Sequence, residues 1–303
     1  MPQEPVVATL SKLSAPSFGV FRAERATALG ITPNQLARLT QQGVLERVLP
    51  HTYRMTSVAP SSRQRLSAAL LWAGEHAAAA GRFATELCRL EGVHASDPEI
   101  VLPHGVRART SHATVDHGDL PALMVRTVDR VRTTGVESTL LRLAHLLEAE
   151  AFEIACEDAR RRRLTSVAAL RAYLDRFARR GRPGVKSMRR LLVQLDPDHP
   201  ARSTLEVRTR RLLVAHGITD FIREYPIVSG GRTYYFDFAF PALRLILEVN
   251  GRRWNDDAAD YELDNEKWSV PGQHGYRIVF ATWNKVTHQP QQLLRELTAT
   301  IAA

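Results

Sequence analysis

Cysteine is nearly missing from this 303-residue chain. Cys88 and Cys156 form no metal-ligand spacing, and both fall in helix-like apolar patterns, which points to packing rather than a disulfide. Long apolar runs are missing too: none approaches the ~20 residues that span a bilayer. The opening MPQEPVVATLSKLSAP lacks the continuous apolar stretch of a secretory signal. The expectation is a cytoplasmic protein with no membrane partner. Lysine is scarce, at Lys12, Lys186, Lys267 and Lys285 only. Neither disorder nor a fibrous fold is indicated, because 44% hydrophobic and 24% charged residues are ordinary globular values.

What is abundant is arginine. It supplies almost all of the 41 basic residues behind a formal charge of +9 and a pI near 10.0. Such an excess favours polyanions, either nucleic acid or an acidic membrane surface. Guanidinium forks suit phosphate oxygens, although a GC-rich genome would enrich arginine as well.

The length allows two or three packed units, and four regions are expected: 1–60, 61–135, 136–200 and 201–303. In the first, Arg22–Leu29 reads as a short helix stopped by Gly30. Thr32-Pro33 then supplies an N-cap and a proline at the first helical position. Ile31, Leu36 and Leu39 lie on one face of a second helix that ends at Gly43. Val44–Val48 and Thr52–Met55 follow as a hairpin, so the order is that of a winged helix-turn-helix. Exposed Asn34, Gln35, Arg38 and Gln41 are the candidates for reaching DNA base edges. The run LGITPNQLARLTQQGVLERV, with Tyr53-Arg54 after it, resembles the N-terminal domain of AbiEi-type antitoxins over roughly forty residues.

Residues 61–135 suggest an α+β middle, with helices at Ser62–Gly74 and Phe83–Leu90 and short strands near Ile100–Leu102 and Ala122–Arg126. His94, His104, His112 and His117 share no metal-ligand spacing there and read as loop residues. Residues 136–200 are helical. Positions 151–200 hold twelve Arg or Lys against six Asp or Glu, a surplus of +6. The densest clusters are Arg160, Arg161, Arg162 and Arg163, then Arg179-Arg180-Gly181-Arg182. Each is either a solvated helix face or a set of phosphate contacts on DNA.

The last hundred residues read α-β-β-β-α-β-α, a small mixed sheet flanked by helices. Two strands, YYFDFAF (Tyr234–Phe240) and RLILEVN (Arg244–Asn250), are each broken by a carboxylate. Strict alternation puts Phe236, Phe238 and Phe240 on one face and Tyr235, Asp237 and Ala239 on the other. In the second strand Glu248 shares its face with Ile246 and Asn250. A dehydrated carboxylate must be compensated, and a tight turn between antiparallel strands can bring Asp237 beside Glu248. Two adjacent carboxylates repel, and a divalent ion relieves the repulsion. Mg2+ or Mn2+ held there would equip the site for phosphodiester hydrolysis. Glu206, in the helix after Ser203-Thr204, is a third candidate at the rim, or simply an acid favoured by the helix dipole. Trp254, Trp268 and Trp283 are expected to be core residues, with Trp254 the best exception. Arg252 and Arg253 beside it could meet phosphates.

Asp237 with Glu248-Val249-Asn250 falls on the pattern of the PD-(D/E)xK nuclease superfamily. Residues 203–300 resemble bacterial domains related to very-short-patch-repair (Vsr) endonucleases. The resemblance is carried by Glu206, Asp237, Glu248-Val249-Asn250-Gly251, Trp254, Asp260, Asp264-Asn265, Gly275 and Trp283. It implies a restriction-endonuclease-like α/β domain with Asp237, Glu248, Asn250 and Glu206 as catalytic residues. Two departures stand out: Asn250 where relatives carry lysine or aspartate, and Asn255 where they often carry histidine. An amide is no general base. Two functions are therefore expected as alternatives. One is a Mg2+-dependent DNA endonuclease. The other is an AbiEi-like repressor or antitoxin with an inactive nuclease-type domain, for which a toxin or regulatory partner would follow.

Overall fold

The computed structural model describes residues 6–106, 108–118, 124–250 and 258–302. The chain divides into two compact units, Met1–Ala155 with Leu164–Val193, and Cys156–Arg163 with Gln194–Ala303. Both are mixed α/β structures built on small sheets. Among the described residues no helix is long and apolar enough to cross a membrane.

The first unit opens with α1 (Val6–Ser14), β1 (Val20–Arg22), α2 (Ala23–Ala28), α3 (Pro33–Gln41), β2 (Leu45–Leu49) and β3 (Thr52–Met55). β3 lies between β1 and β2, antiparallel to both. Ile31, Leu36 and Leu39 pack with Leu10, Phe21, Leu45 and Met55, so the apolar stripe of α3 faces inward as its spacing requires. Thr32 and Gln35 close a reciprocal capping box at the start of α3. β1 was not legible in the sequence, because three residues preceding a helix carry no alternation.

The unit continues through α4 (Ser62–Ala73), β4 (Ala78–Ala79), α5 (Gly81–Leu87), β5 (Glu99–Leu102), β6 (Thr114–His117), β7 (Val125–Val128) and β8 (Val131–Thr134). The five strands form one sheet in the order β6-β5-β4-β8-β7. Leu66, Ala69, Phe83, Leu87 and Ile100 form its core. Helices α6 (Val136–Leu146), α7 (Ala149–Arg161), α8 (Val167–Phe177) and α9 (Val185–Gln194) follow. Of these, α7 runs from the first unit into the second. Cys156 is buried and Cys88 half-buried.

The second unit carries α10 (Thr204–Ala215), β9 (Ile222–Ser229), β10 (Arg232–Phe240), β11 (Leu245–Asn250), α11 (Ala258–Gln273), β12 (Arg277–Thr282), α12 (Trp283–Thr287) and α13 (Pro290–Ala302). Its sheet runs β12-β11-β10-β9, with β9, β10 and β11 antiparallel neighbours and β12 parallel to β11. Each face buries a core. Leu205 and Leu213 of α10 pack with Phe238, Phe240, Leu245, Leu247, Val279 and Leu293 on one side. Val270 of α11 packs with Ile227, Tyr234, Phe236, Ala239 and Ile246 on the other.

Those memberships correct the expected alternation along β10. Phe236 shares a core with Ala239, whereas Phe238 and Phe240 belong to the opposite face. The strand reverses its facing at Asp237. Backbone pairing continues on both sides of that position, with Phe236 opposite Tyr225 and Phe238 opposite Arg223. Glu224, which the register places across from Asp237, has a left-handed backbone with φ 49°. The ladder is therefore interrupted at Asp237 and Glu224 with no change of register, and the left-handed backbone of Glu224 accompanies the change of facing.

Candidate metal centre

At this interruption, side chains take over hydrogen bonds that a regular ladder would make with backbone. The Val249 amide donates to Asp237 Oδ2 at 2.7 Å. The Asp237 amide donates to Glu248 Oε2 at 3.3 Å. The two carboxylates singled out in the sequence are thus brought together on neighbouring strands.

The cluster is larger than that pair. Glu206, Glu224 and Asp237 each offer a carboxylate oxygen, and these oxygens lie within 4.8 Å of one another. Glu206 is 2% exposed, so it is a buried member rather than the rim residue expected. It is placed by its helix: Ser203 Oγ accepts the Glu206 amide at 3.1 Å, fixing the first turn of α10. Glu206 Oε2 accepts the Arg202 amide at 2.7 Å, and Oε1 accepts Arg223 Nη2 at 2.6 Å. Glu224 Oε2 accepts Arg202 Nη2 at 2.5 Å. Glu248 is 5% exposed and accepts the ammonium of Lys267 from α11. Lys267 Nζ also lies 5.2 Å from the centroid of the Phe236 ring, a cation–π distance.

Four carboxylates, Glu206, Glu224, Asp237 and Glu248, thus gather with three cations, Arg202, Arg223 and Lys267. One negative charge remains. Burial, and then the neighbouring charge of Glu248, push the Asp237 carboxyl up to about 7. Burial likewise raises Glu224, helped by Glu206 and opposed by Arg202 and Arg223. A proton on Asp237 is one way to discharge the excess; a bound cation is another.

The donor set fits a hard divalent ion. It is all oxygen, and Glu224 Oε1 is buried with no hydrogen-bond partner. A buried polar atom left unpaired costs about 1–3 kcal/mol, more when charged, and a metal ion would satisfy this one. Beside it, Arg223 Nε is a buried donor also without a partner.

Glu224 is the residue that sequence reasoning missed. It sits in the strand IREYPIVS, and the left-handed backbone at this position is not something a strand pattern announces. Lys267, one of the four lysines of the chain, brings its ammonium to Glu248, two residues before the end of β11 at Asn250. Asn250 ends β11 half-buried, opposite Thr282.

The expected DNA contacts fare differently. Asn34, Arg38 and Gln41 are exposed on α3. Gln35 is half-buried, and its side-chain oxygen is held by the amide and hydroxyl of Thr32 in the cap. Arg160 is not a phosphate contact. Its side chain is 3% exposed, pairs with Glu157 at 2.6 Å and donates to the carbonyls of Asp196 and Pro197. Arg161 and Arg162 both pair with Asp158, at 2.5 and 3.3 Å, and remain partly exposed, while Arg163 is exposed. The reason is helical spacing: acids at positions 157 and 158 meet arginines three and four residues later. Arg252, Arg253, Trp254 and Asn255 lie outside the described residues. Trp268 is half-buried and meets Phe280 edge-on, with ring centroids 5.0 Å apart. Trp283 instead is 46% exposed, with Arg208 4.9 Å above its ring.

No family model matches the chain. By sequence it is similar to the uncharacterized proteins MT2308 and Rv2248 of Mycobacterium tuberculosis (strains CDC 1551 / Oshkosh and ATCC 25618 / H37Rv). Each is 28% identical over 271 residues, which cover 87% of this chain and 94% of the relative. Among solved structures, the catalytic domain of homing endonuclease I-Bth0305I aligns with 33% of this chain and 98% of its own, at 22% identity and a TM-score of 0.27. The RV2827C protein of Mycobacterium tuberculosis aligns with 68% of this chain and 81% of its own, at 18% identity and a TM-score of 0.45.

Proposed function

We propose that this protein is a metal-dependent DNA endonuclease whose catalytic centre is the carboxylate cluster of the second unit. The observation that carries the proposal is Glu224: its Oε1 is buried without a hydrogen-bond partner among the described residues, and one of its carboxylate oxygens lies within 4.8 Å of carboxylate oxygens from Glu206 and Asp237. Glu206, Glu224 and Asp237 would hold Mg2+ or Mn2+. A bound divalent ion supplies charge neutralisation at the scissile phosphate and acidifies a water at neutral pH.

The rest falls to the protein. Asp237, whose carboxyl is pushed up to about 7 by burial and by the charge of Glu248, would give up its proton as the site is loaded. Glu248 holds the Lys267 ammonium in place, and Lys267 is the cation available to a phosphoryl oxygen. Lys267 thereby takes the part that an amide at Asn250 cannot. The N-terminal order of α1, β1, α2, α3, β2 and β3 fits a winged helix, and the exposed Asn34, Arg38 and Gln41 suit duplex docking.

Incubating supercoiled plasmid with the protein in Mg2+ or Mn2+ tests this directly. Nicking is expected from the native chain. Glu224→Gln and Asp237→Asn should each reduce it by more than roughly 100-fold, beyond the 10–100-fold that outer-shell changes bring to metal sites. Undiminished nicking by both variants would place the chemistry elsewhere. The exposed face of α3 also supports a second role, an AbiEi-like repressor with an inactive nuclease-type domain. A discrete promoter footprint lost in Arg38→Ala, with no nicking under any metal, would favour that role.

A further inference from the structure

The second densest arginine cluster in the sequence, Arg179-Arg180-Gly181-Arg182, plays no part in the carboxylate site. It lies in the loop between α8 and α9, where it lines a cleft of about 520 Å³ within the first unit. A fourth arginine, Arg142 of α6, enters the same cleft. It pairs with Asp116 of β6 at 2.5 Å, yet its Nε is buried with no partner among the described residues. Arg182 is anchored, donating through Nη1 to the Phe177 carbonyl at 2.8 Å and through Nη2 to the Tyr173 hydroxyl at 3.4 Å.

The loop is also fixed in place. Gly184 has φ 84°, and a Cβ there would come within 2.2 Å of the Leu141 carbonyl of α6, so only glycine lets the loop lie this close. Among the described lining residues, four arginines stand with one carboxylate, Asp116. Like charges on a free surface spread apart; held together on a fixed loop, they suit a multiply charged anion. The volume falls in the range of small-molecule sites, ~300–1,000 Å³, and exceeds what a bare phosphate would fill. Ala80, Val101 and Leu141 add an apolar wall.

We propose that this cleft binds a phosphate monoester of nucleotide size, the arginines gripping the phosphate and the apolar wall receiving the remainder. The phosphate comes either from a free nucleotide or from the 5′ end of a nucleic-acid strand. The site is independent of the carboxylate cluster, so binding is to be measured in EDTA, where failure of the nuclease proposal has no bearing on it.

Calorimetric titration of the full chain with adenosine 5′-monophosphate, adenosine, and a short single-stranded DNA with and without a 5′-phosphate tests the proposal. Saturable binding of the monophosphate with none of adenosine identifies a free nucleotide. A preference of tenfold or more for the 5′-phosphorylated strand identifies a strand end. In either case Arg179→Gln with Arg180→Gln, both exposed and tolerant of change, should weaken binding at least tenfold, and Arg142→Gln should do the same if it folds. No saturable binding of any phosphorylated probe, or equal affinity in the Arg179/Arg180 double variant, would overturn the proposal.

Discussion

At Glu224 a left-handed backbone coincides with a carboxylate oxygen that is buried and unbonded. For a non-glycine residue that backbone costs roughly 1–2 kcal/mol, and such cost tends to concentrate at functional sites. Asp237 opposite has the complementary property, a proton held to about pH 7. A carboxyl whose folded-state value is raised binds its proton more tightly folded than unfolded. Its contribution to stability is therefore complete below the ordinary value of 3.8 and is lost as pH rises through about 7. Metal-free protein should lose melting temperature over that window relative to Asp237→Asn, which lacks the slope. Saturating Mg2+ should remove the difference by favouring the ionised carboxylate; identical pH profiles for both chains would contradict the assignment. Arg160 gives a prediction of the opposite kind. Removing it takes a buried guanidinium from the buried Glu157 and from the Asp196 and Pro197 carbonyls, so Arg160→Ala should destabilise the fold by about 3–5 kcal/mol in urea melts.

Among the elements, α3 shows how much the sequence discloses. Thr32-Pro33, the Ile31, Leu36 and Leu39 stripe and Gly43 mark its start, buried face and end, and all three serve those purposes in the structure. Because Thr32 accepts the Gln35 amide, Thr32→Ala should cost about 1 kcal/mol. Its effect on a DNA footprint should be small beside that of Arg38→Ala. Asp237 and Glu248 were equally visible, as lone acids in apolar strands. Glu224 was not, and neither was the reversal that sends Phe236 and Phe238 to opposite faces. Both go with a local interruption of the strand ladder, which strict alternation has no way to announce. The middle sheet hid for another reason: β4 is only Ala78 and Ala79, with no branched or aromatic side chain to mark a strand, yet it lies at the sheet's centre.

For the whole molecule, the charge of +9 acts at a distance. DNA affinity should fall with salt by ~0.9 in log–log slope per phosphate contact. Arg162→Gln and Arg163→Gln, whose parents are accessible, should flatten that slope. Arg160→Gln should leave it unchanged while lowering stability, and a flattened slope in that variant would mean its guanidinium reaches DNA after all.

The amide of Val249 has an unusual partner in Asp237 Oδ2. In a regular sheet that proton would point at a neighbouring carbonyl and be indifferent to chemistry in the cleft. Here its environment follows the carboxylate: proton on, proton off, or electron density drawn toward a cation. Labelled with nitrogen-15, this one backbone resonance should shift along one direction during acid titration and along a different one during Mg2+ titration. That would turn the break in the sheet into a built-in spectroscopic gauge of what occupies the site, readable without substrate and without turnover.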